Sequence, residues 1–418
     1  MAGSKIGPVH LVSGQNLKAW HGVRREGDPS GIGEDQLWTG DNVRLSGGLI
    51  VSRGGQSRLN SSPLTGGCIL GIFDDEPWGG AGGPLMLGAG SAVVTGVYVV
   101  NQAGGAADDG VYYTTSSVLT ALITGTAAPP GGNLKSLESF GGYVHYRGRN
   151  GTSGAGLRRW DGADALVASP PAGESATQTL SQLAGVGNVI WGSWDATSPS
   201  EDVRFYAWDG SVWSAVETVV GLNTGAASRY QLLSFTDLLH ATGVNSLWRR
   251  STAGVWTKVA TPTIKPATGS RRTAVFNNVL YIIGWDVIPP TASIIYSWDG
   301  TTLVTARTLT ATAAAGSFGL HVFNGFLYYL YSAADGMKLG RYDGTTWTDV
   351  HFTFASGAPA GGTAWGWLAS YSGSLYAGYG LDANSHIDKS TGTDTTSWTS
   401  LANVALTSRT YSDGLGFS

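Results

Sequence analysis

The hexapeptide Phe323-Asn324-Gly325-Phe326-Leu327-Tyr328 decides the fold of this chain, because its pattern recurs along most of the sequence. It combines an apolar residue, spacer residues of the kind that form turns, and an apolar residue followed by an aromatic one. Gly and Asn favour tight turns, whereas branched and aromatic residues favour strands. The stretch therefore predicts the end of one β-strand, a tight turn and the beginning of the next strand.

Seven copies of this pattern follow one another at intervals of 41 to 49 residues. The final aromatic position of the pattern is held in turn by Tyr98, His145, Trp191, His240, Tyr281, Tyr328 and Tyr376. The residue directly before it is always apolar, namely Val97, Val144, Ile190, Leu239, Leu280, Leu327 and Leu375. The residue five positions before it is apolar or aromatic, namely Val93, Phe140, Val186, Phe235, Phe276, Phe323 and Tyr371. A β-type repeat of this length is typical of a propeller blade.

A second landmark, an aromatic residue followed by Asp-Gly, comes after most copies. Its aspartates are Asp161, Asp209, Asp299 and Asp343. A tryptophan often follows four residues after an aspartate, as in Asp209 with Trp213, Asp343 with Trp347 and Asp394 with Trp398, and Trp256 holds that place where Asp-Gly is missing. Asp accepts backbone hydrogen bonds in such a turn and Gly takes the positive-φ position, so this landmark predicts a second tight turn between two strands. With the strands on either side of the first turn, each unit is expected to contain four antiparallel strands.

The sequence therefore predicts an all-β chain, a β-propeller of about seven four-stranded blades, with eight as the alternative. The alternative arises because Leu45, Leu49 and Ile50 continue the repeat register towards the N-terminus. We expect Phe140, Phe235, Phe276 and Phe323 in the core between blades, since a blade cannot bury its faces alone.

Four segments follow from this interpretation. They are an extended N-terminal arm at 1–40, a hairpin and linker or partial blade at 41–83, the propeller at 84–405 and a C-terminal closing segment at 406–418. Either the residues from Arg409 to Ser418 or the hairpin within 42–60 is expected to supply the strand that closes the ring.

The composition limits the classes of function. Charged residues are 13% of the 418 residues, about half the usual proportion, and the net charge is −4 without a basic stripe, so we expect no direct sequence-specific contact with nucleic acid. The one cysteine, Cys68, excludes intramolecular disulfides. The sequence shows neither a signal peptide nor an apolar run long enough to span a membrane, which predicts synthesis in a cytoplasm.

We find no pattern that predicts a catalytic, cofactor or metal site. The Asp-Gly turns differ from the Asp-box of sialidases because the two residues are adjacent, and the arginines show no common repeat register. The histidines lack zinc-site spacing, and His145 and His240 are expected to replace an aromatic ring in a packed strand. The expectation is therefore a protein that is not an enzyme and holds no cofactor.

One segment carries a family resemblance. Asn42-Val43-Arg44-Leu45-Ser46-Gly47-Gly48-Leu49-Ile50-Val51-Ser52-Arg53-Gly54-Gly55 resembles the N-terminal segment of tailed-bacteriophage tail proteins that carry a β-propeller, although Gly54 stands where those proteins have proline. The repeats with Trp/Tyr-Asp-Gly also look like phage propellers and, more distantly, like kelch-type propellers.

The resemblance implies a virion structural protein of the tail or nozzle, assembled in the host cytoplasm as a homo-oligomeric ring. Its partners would be adaptor, tail-tube or nozzle neighbours, contacted through Trp20, Arg24, Arg25, Arg44 and Arg53. The alternative is a carbohydrate- or receptor-binding propeller, in which tryptophans on loops contact a host-surface glycan. A propeller hydrolase is disfavoured because no nucleophile or acid–base set is present.

Overall fold

A computed structural model describes two compact units, Met1–Ile69 and Leu70–Ser418. The residues described are 43–46, 49–52, 96–103, 110–114, 120–124, 137–141, 143–148, 156–160, 163–174, 180–195, 202–222, 230–243, 245–262, 265–266, 272–285, 292–310, 317–333, 336–354, 366–381, 384–401 and 409–417. The arm predicted at 1–40 lies outside these residues, as does the part after residue 52 of the hairpin and linker predicted at 41–83.

In the first unit, β1 (Val43–Ser46) and β2 (Leu49–Ser52) form an antiparallel hairpin. The ladder runs from the pair of Val43 with Ser52 to the pair of Ser46 with Leu49.

The second unit contains seven antiparallel sheets within its described residues, and each is one blade. Blade 1 contains β3 (Gly96–Ala103), β4 (Gly110–Thr114) and β5 (Thr120–Thr124). Blade 2 contains β6 (Leu137–Phe140), β7 (Tyr143–Arg147), β8 (Leu157–Trp160) and β9 (Asp164–Ala168). Blade 3 contains β10 (Leu180–Val186), β11 (Val189–Asp195), β12 (Val203–Trp208) and β13 (Glu217–Val219). Blade 4 contains β14 (Gln231–Phe235), β15 (Leu238–Gly243), β16 (Ser246–Arg250) and β17 (Trp256–Ala260).

The remaining blades follow the same order. Blade 5 contains β18 (Lys265–Pro266), β19 (Thr273–Phe276), β20 (Val279–Trp285), β21 (Ala292–Trp298) and β22 (Leu303–Thr310). Blade 6 contains β23 (Ser317–Phe323), β24 (Phe326–Ala333), β25 (Gly336–Tyr342) and β26 (Trp347–Thr353). Blade 7 contains β27 (Gly366–Tyr371), β28 (Ser374–Leu381), β29 (Asn384–Thr391) and β30 (Asp394–Ser400).

The predicted propeller is confirmed, with one difference in strand number. Six of the seven described sheets have four strands, whereas blade 5 has five, because β18 and β19 both pair with β20. The short strand β18 pairs with one end of β20, and β19 pairs with the other end. The two together take the place of the first strand of blade 5, so the fifth strand does not indicate an extra blade.

The last strand of the chain closes the ring. β31 (Arg409–Phe417) pairs antiparallel with β3 along its length and takes, in blade 1, the place that the first strand has in the other blades. In the described residues the hairpin strands β1 and β2 pair only with each other, so of the two candidate segments the C-terminal one supplies the closing strand.

The core lies at the seven boundaries between neighbouring blades, which we call seams. Each of seven clusters of buried apolar residues joins one blade to the next, and the last joins blade 7 to blade 1. The four phenylalanines expected between blades lie there: Phe235, Phe276 and Phe323 are buried at seams, and Phe140 packs against the seam between blades 2 and 3. Burying both faces of every blade gives a continuous apolar core around the ring.

Candidate functional site

The seven repeat positions lie at one register, on the second strand of each blade. All seven side chains are at least 93% buried, as relative exposures of 0 to 7% show. In blade 6, Tyr328 belongs to the core shared with blade 7, whereas the preceding Leu327 belongs to the core shared with blade 5. Because side chains alternate along a strand, the aromatic residue packs on the next blade and the apolar residue on the previous blade.

A row of cations accompanies this aromatic register. On the third strand, Arg159, Arg249, Arg341 and Lys389 pair directly with His145, His240, Tyr328 and Tyr376. The expectation that the arginines share no register was therefore wrong for Arg159, Arg249 and Arg341. Each of these four residues lies two positions before the Asp-Gly turn or before the turn that replaces it. This spacing is visible in the sequence, but one of the four residues is a lysine and not an arginine.

Three of these cations lie over aromatic rings. The guanidinium of Arg159 lies 4.3 Å from the centre of the Tyr143 ring, that of Arg341 lies 4.7 Å from Phe326, and the ammonium of Lys389 lies 5.6 Å from Tyr376. A cation over a ring face is attracted by the quadrupole of the ring. The charges at this register thus contribute to packing.

The two histidines of the register are neutral and occupy the place of an aromatic ring in the core. Burial, assisted by the charge of Arg159, lowers the pKa of His145 from its usual 6.5 to about 3. Burial lowers the pKa of His240 to about 4, and His240 Nδ1 lies 3.0 Å from the carbonyl oxygen of Leu238. His145 packs against Trp208 of the next blade with ring centres 6.0 Å apart, as an aromatic residue does in the other blades.

The seam between blades 3 and 4 holds a clamp of charged and aromatic residues. Arg250 donates two hydrogen bonds to Glu217, at 2.6 and 2.8 Å, and its guanidinium lies 4.6 Å from the centre of the Trp191 ring. The indole of Trp256 donates to the same carboxylate at 2.9 Å and stacks on Phe205. Glu217 and Trp191 belong to blade 3, and Arg250 and Trp256 to blade 4, so these contacts fasten one blade to the next.

The seam between blades 5 and 6 has an analogous arrangement. Arg307 of β22 forms an ion pair with Asp349 of β26, which also accepts a 3.0 Å hydrogen bond from Tyr329. Trp347 stacks on Tyr342 at 4.2 Å and contacts Tyr281 of blade 5. Sequence reasoning missed both ion pairs, because the partners are far apart along the chain and only the ring brings them together.

Hydroxyl groups and histidines meet at the seam between blades 6 and 7. His351 Nε2 lies 2.7 Å from Thr395 Oγ1, which also lies 3.0 Å from the hydroxyl of Tyr328. His321 Nε2 lies 2.9 Å from Ser370 Oγ. Burial and the nearby Arg341 lower the pKa of His351. This network also crosses from blade to blade.

A buried polar band links blades 3 to 5 near the beginning of their first strands. Tyr230 donates to Ser193 Oγ at 2.7 Å, and the backbone of Gln182 donates to the same oxygen at 3.0 Å. Arg272 donates its backbone N–H to Gln231 at 2.8 Å and its guanidinium to the carbonyl of Tyr230 at 3.1 Å. These polar groups are bonded to neighbouring blades.

The turn aspartates are fully exposed and bind their own turns. The backbone N–H groups of the residues two and three positions later donate to the carboxylates of Asp209, Asp299 and Asp343, and these bonds lower the pKa of each carboxyl. The following glycines have φ angles of 98 to 105°. Asp161 lies outside the described residues.

The other residues expected to contact partners fall mostly outside the described part. Arg44 lies in β1, whereas Trp20, Arg24, Arg25 and Arg53 lie outside the described residues. Among the residues that the structure describes, no cluster of three or more His, Cys, Asp or Glu side chains could hold a metal ion. The described segments also include no helix of the length and apolarity that a membrane span requires.

No protein-family model and no curated protein matches this chain. Solved structures do match. A candidate 6-phosphogluconolactonase from Bacteroides uniformis ATCC 8492 is 13% identical, with a TM-score of 0.51, over 77% of this chain and 98% of that one. A functionally unknown protein from Desulfotomaculum acetoxidans DSM 771 is 9% identical, with a TM-score of 0.50, over 76% and 98%.

The SapL1 lectin, solved with α-methyl fucoside, is 13% identical with a TM-score of 0.39, over 63% of this chain and 92% of that one. At these identities the two higher-scoring matches show the propeller fold alone, which by itself indicates no function.

Proposed function

We propose that this protein is a non-enzymatic structural protein of a bacteriophage tail that forms a ring or channel component. The observation that carries the proposal is the structure of the segment that resembles phage tail proteins. Two of its stretches, Val43–Ser46 and Leu49–Ser52, pair as an antiparallel hairpin in the first compact unit. In this proposal the first unit attaches the protein to its neighbours, and the propeller forms the rigid ring.

The contacts between blades support a rigid propeller. Its charged residues bind across seams, as Arg250 does with Glu217 and Arg307 with Asp349. Ion pairs that are partly buried and share aromatic partners hold neighbouring blades in a fixed relation better than isolated surface pairs. This supports a mechanical role in the virion beside adaptor, tail-tube or nozzle neighbours, after assembly in the host cytoplasm.

The distribution of charge supports assembly through the N-terminal unit. Residues 1–69 contain seven Lys and Arg and five Asp and Glu, whereas residues 70–418 contain 18 and 24. The first unit is therefore net positive and the second net negative, which favours contact between the first unit of one subunit and an acidic neighbour. The acidic propeller is also a poor surface for a phosphate backbone.

The glycan-binding alternative has less support because three tryptophans that lie in or shortly before the outermost strand of their blade make hydrogen bonds within the protein. The indole groups of Trp213, Trp256 and Trp398 donate hydrogen bonds to Ser169, Glu217 and Thr395. A ring held in this way in a seam is not presented on a loop for stacking on a sugar.

The test is the native mass of the full-length protein by native mass spectrometry and analytical ultracentrifugation. We expect one discrete cyclic oligomer, weakened by Arg44→Glu in the hairpin, with the far-ultraviolet circular dichroism of the propeller unchanged. Lys258→Glu is the matched control, because it makes the same charge change on an exposed position of β17. A strict monomer that binds immobilised glycans would contradict the proposal and favour the alternative.

A further inference from the structure

The outermost strand of blade 7, β30, is an open sheet edge. In the residues that the structure describes, β30 pairs with β29 on one side and with no strand on the other. Five of its seven residues are exposed. An open edge presents a row of backbone donors and acceptors that another strand can bind.

The hydrogen-bond pattern shows which backbone groups point outwards. The backbone N–H of Leu401 donates to the carbonyl of Ile387 at 2.9 Å, so these two residues form a hydrogen-bonded pair. Pairs alternate along an antiparallel ladder, and Ser400 is the partner of Asp388 in the next, non-hydrogen-bonded pair. The N–H and C=O of Ser400 therefore point away from β29, towards a position that an added strand would occupy.

β30 has no charged side chain after its first residue, unlike the outermost strands of blades 4 to 6, which contain Lys258, Arg307 and Asp349. Its only charge is Asp394 at the first position, and Thr, Ser and Trp follow. The outermost strands of blades 2 and 3 also have their charge at the first position, but they have only five and three residues, against the seven of β30. β5 is uncharged and has five residues. Natural proteins block sheet edges with charge or proline, so β30 is the longest outer edge without such protection along its interior.

The N-terminal hairpin offers a matching strand. β1 and β2 form a sheet of only two strands in the described residues, and an isolated two-stranded hairpin is marginally stable in water. The only charged residue in these two strands is Arg44, and the only charged residue in β30 is Asp394, so the two edges have opposite charge.

We infer that a strand of the β1–β2 hairpin of one subunit adds to the β30 edge of a second copy of this chain. This contact would link subunits of the ring and so rests on the proposed function. Its energy comes from main-chain hydrogen bonds, as in other cases of strand addition.

The test compares Ser400→Pro with Ser400→Ala in the full-length protein. Both variants lose the hydrogen bond from the Ser400 hydroxyl to Asp388, but only proline removes the outward N–H and fills the space of an added strand. We expect Ser400→Pro to raise the dissociation constant of the assembly by at least about tenfold, and Ser400→Ala to leave it unchanged. Equal assembly of the two variants would overturn this interface while leaving the ring itself, and so the proposed function, intact.

Hydrogen–deuterium exchange of the wild-type protein provides a readout that does not depend on how well the proline variant folds. We expect residues 43–52 and 394–401 to gain protection together as protein concentration rises through the assembly transition. Protection of both segments that is independent of concentration would place the contact within one chain and contradict the inference. Absence of any assembly would instead remove the proposed ring.

Discussion

His145 and His240 hold, in two blades, a position that an aromatic ring holds in the other five. Both are buried, and burial lowers the pKa of each well below 6.5. In the unfolded chain the same groups titrate near their ordinary pKa. As the pH falls, the unfolded state therefore takes up protons first, so the stability present above pH 6.5 is lost progressively towards the folded pKa values.

Replacing His145 with phenylalanine is expected to reduce this loss. Between pH 7 and pH 5, the free energy of unfolding should decrease by about 2 kcal/mol less in His145→Phe than in the wild type, because one group with a lowered folded pKa is gone. Urea unfolding at the two pH values measures the difference. Tyr376→Phe is the control at the same register, and it should keep the pH dependence of the wild type. An unchanged pH dependence in His145→Phe would show that this histidine is accessible to protons in the folded state.

At the scale of strands and turns, much of the blade could be predicted because its signals are local. Asn324 and Gly325 have φ angles of 48° and 76°, the left-handed conformation that a two-residue hairpin turn requires, and their residue types already indicate it. The cation register was also present in the sequence, but Lys389 interrupts a pattern sought only among arginines. The seam pairs could not be predicted, since Arg250 and Glu217 are 33 residues apart and which side chains meet depends on the angle between blades.

The ion pair of Arg250 with Glu217 is expected to stabilise its seam measurably. Both side chains are 22% exposed, which places the pair between surface pairs of little worth and fully buried ones. A double-mutant cycle with Arg250→Ala and Glu217→Ala should therefore give a coupling free energy of about 1–2 kcal/mol. Urea unfolding of the four proteins measures it.

The pair of Arg307 with Asp349 provides the comparison, since its side chains are 37% and 35% exposed. We expect its coupling to be smaller and to decrease further with added salt, because exposed charges are screened. If the more exposed pair had the larger coupling, solvent screening would not be what distinguishes the two seams.

At the scale of the whole molecule, the period of the repeat predicted the ring, but the closing strand was left between two candidates. The segment Arg409–Phe417 contains Asp413 and two glycines, a composition with weak strand propensity. It is a strand because β3 would otherwise be an open edge at the centre of the ring, and pairing satisfies the backbone groups of both segments. This segment is therefore a strand because of its pairing with β3 and not because of its local propensity.

Removing residues 409–418 is therefore expected to affect the whole ring and not only blade 1. The seam between blades 7 and 1 would lose the ladder with β3, and Leu415 would no longer pack against the core around Tyr98. We expect the free energy of unfolding to fall by about 4 kcal/mol or more, because the truncation disrupts several buried contacts at once. Thermal unfolding followed by both circular dichroism and tryptophan fluorescence should give one coincident transition for the full chain and separate transitions for the truncated one. Removing Ser418 alone is the control, because it leaves β31 complete. If the truncated chain unfolded in a single transition at the temperature of the full chain, the seven blades would be held together by their seams without the closing strand.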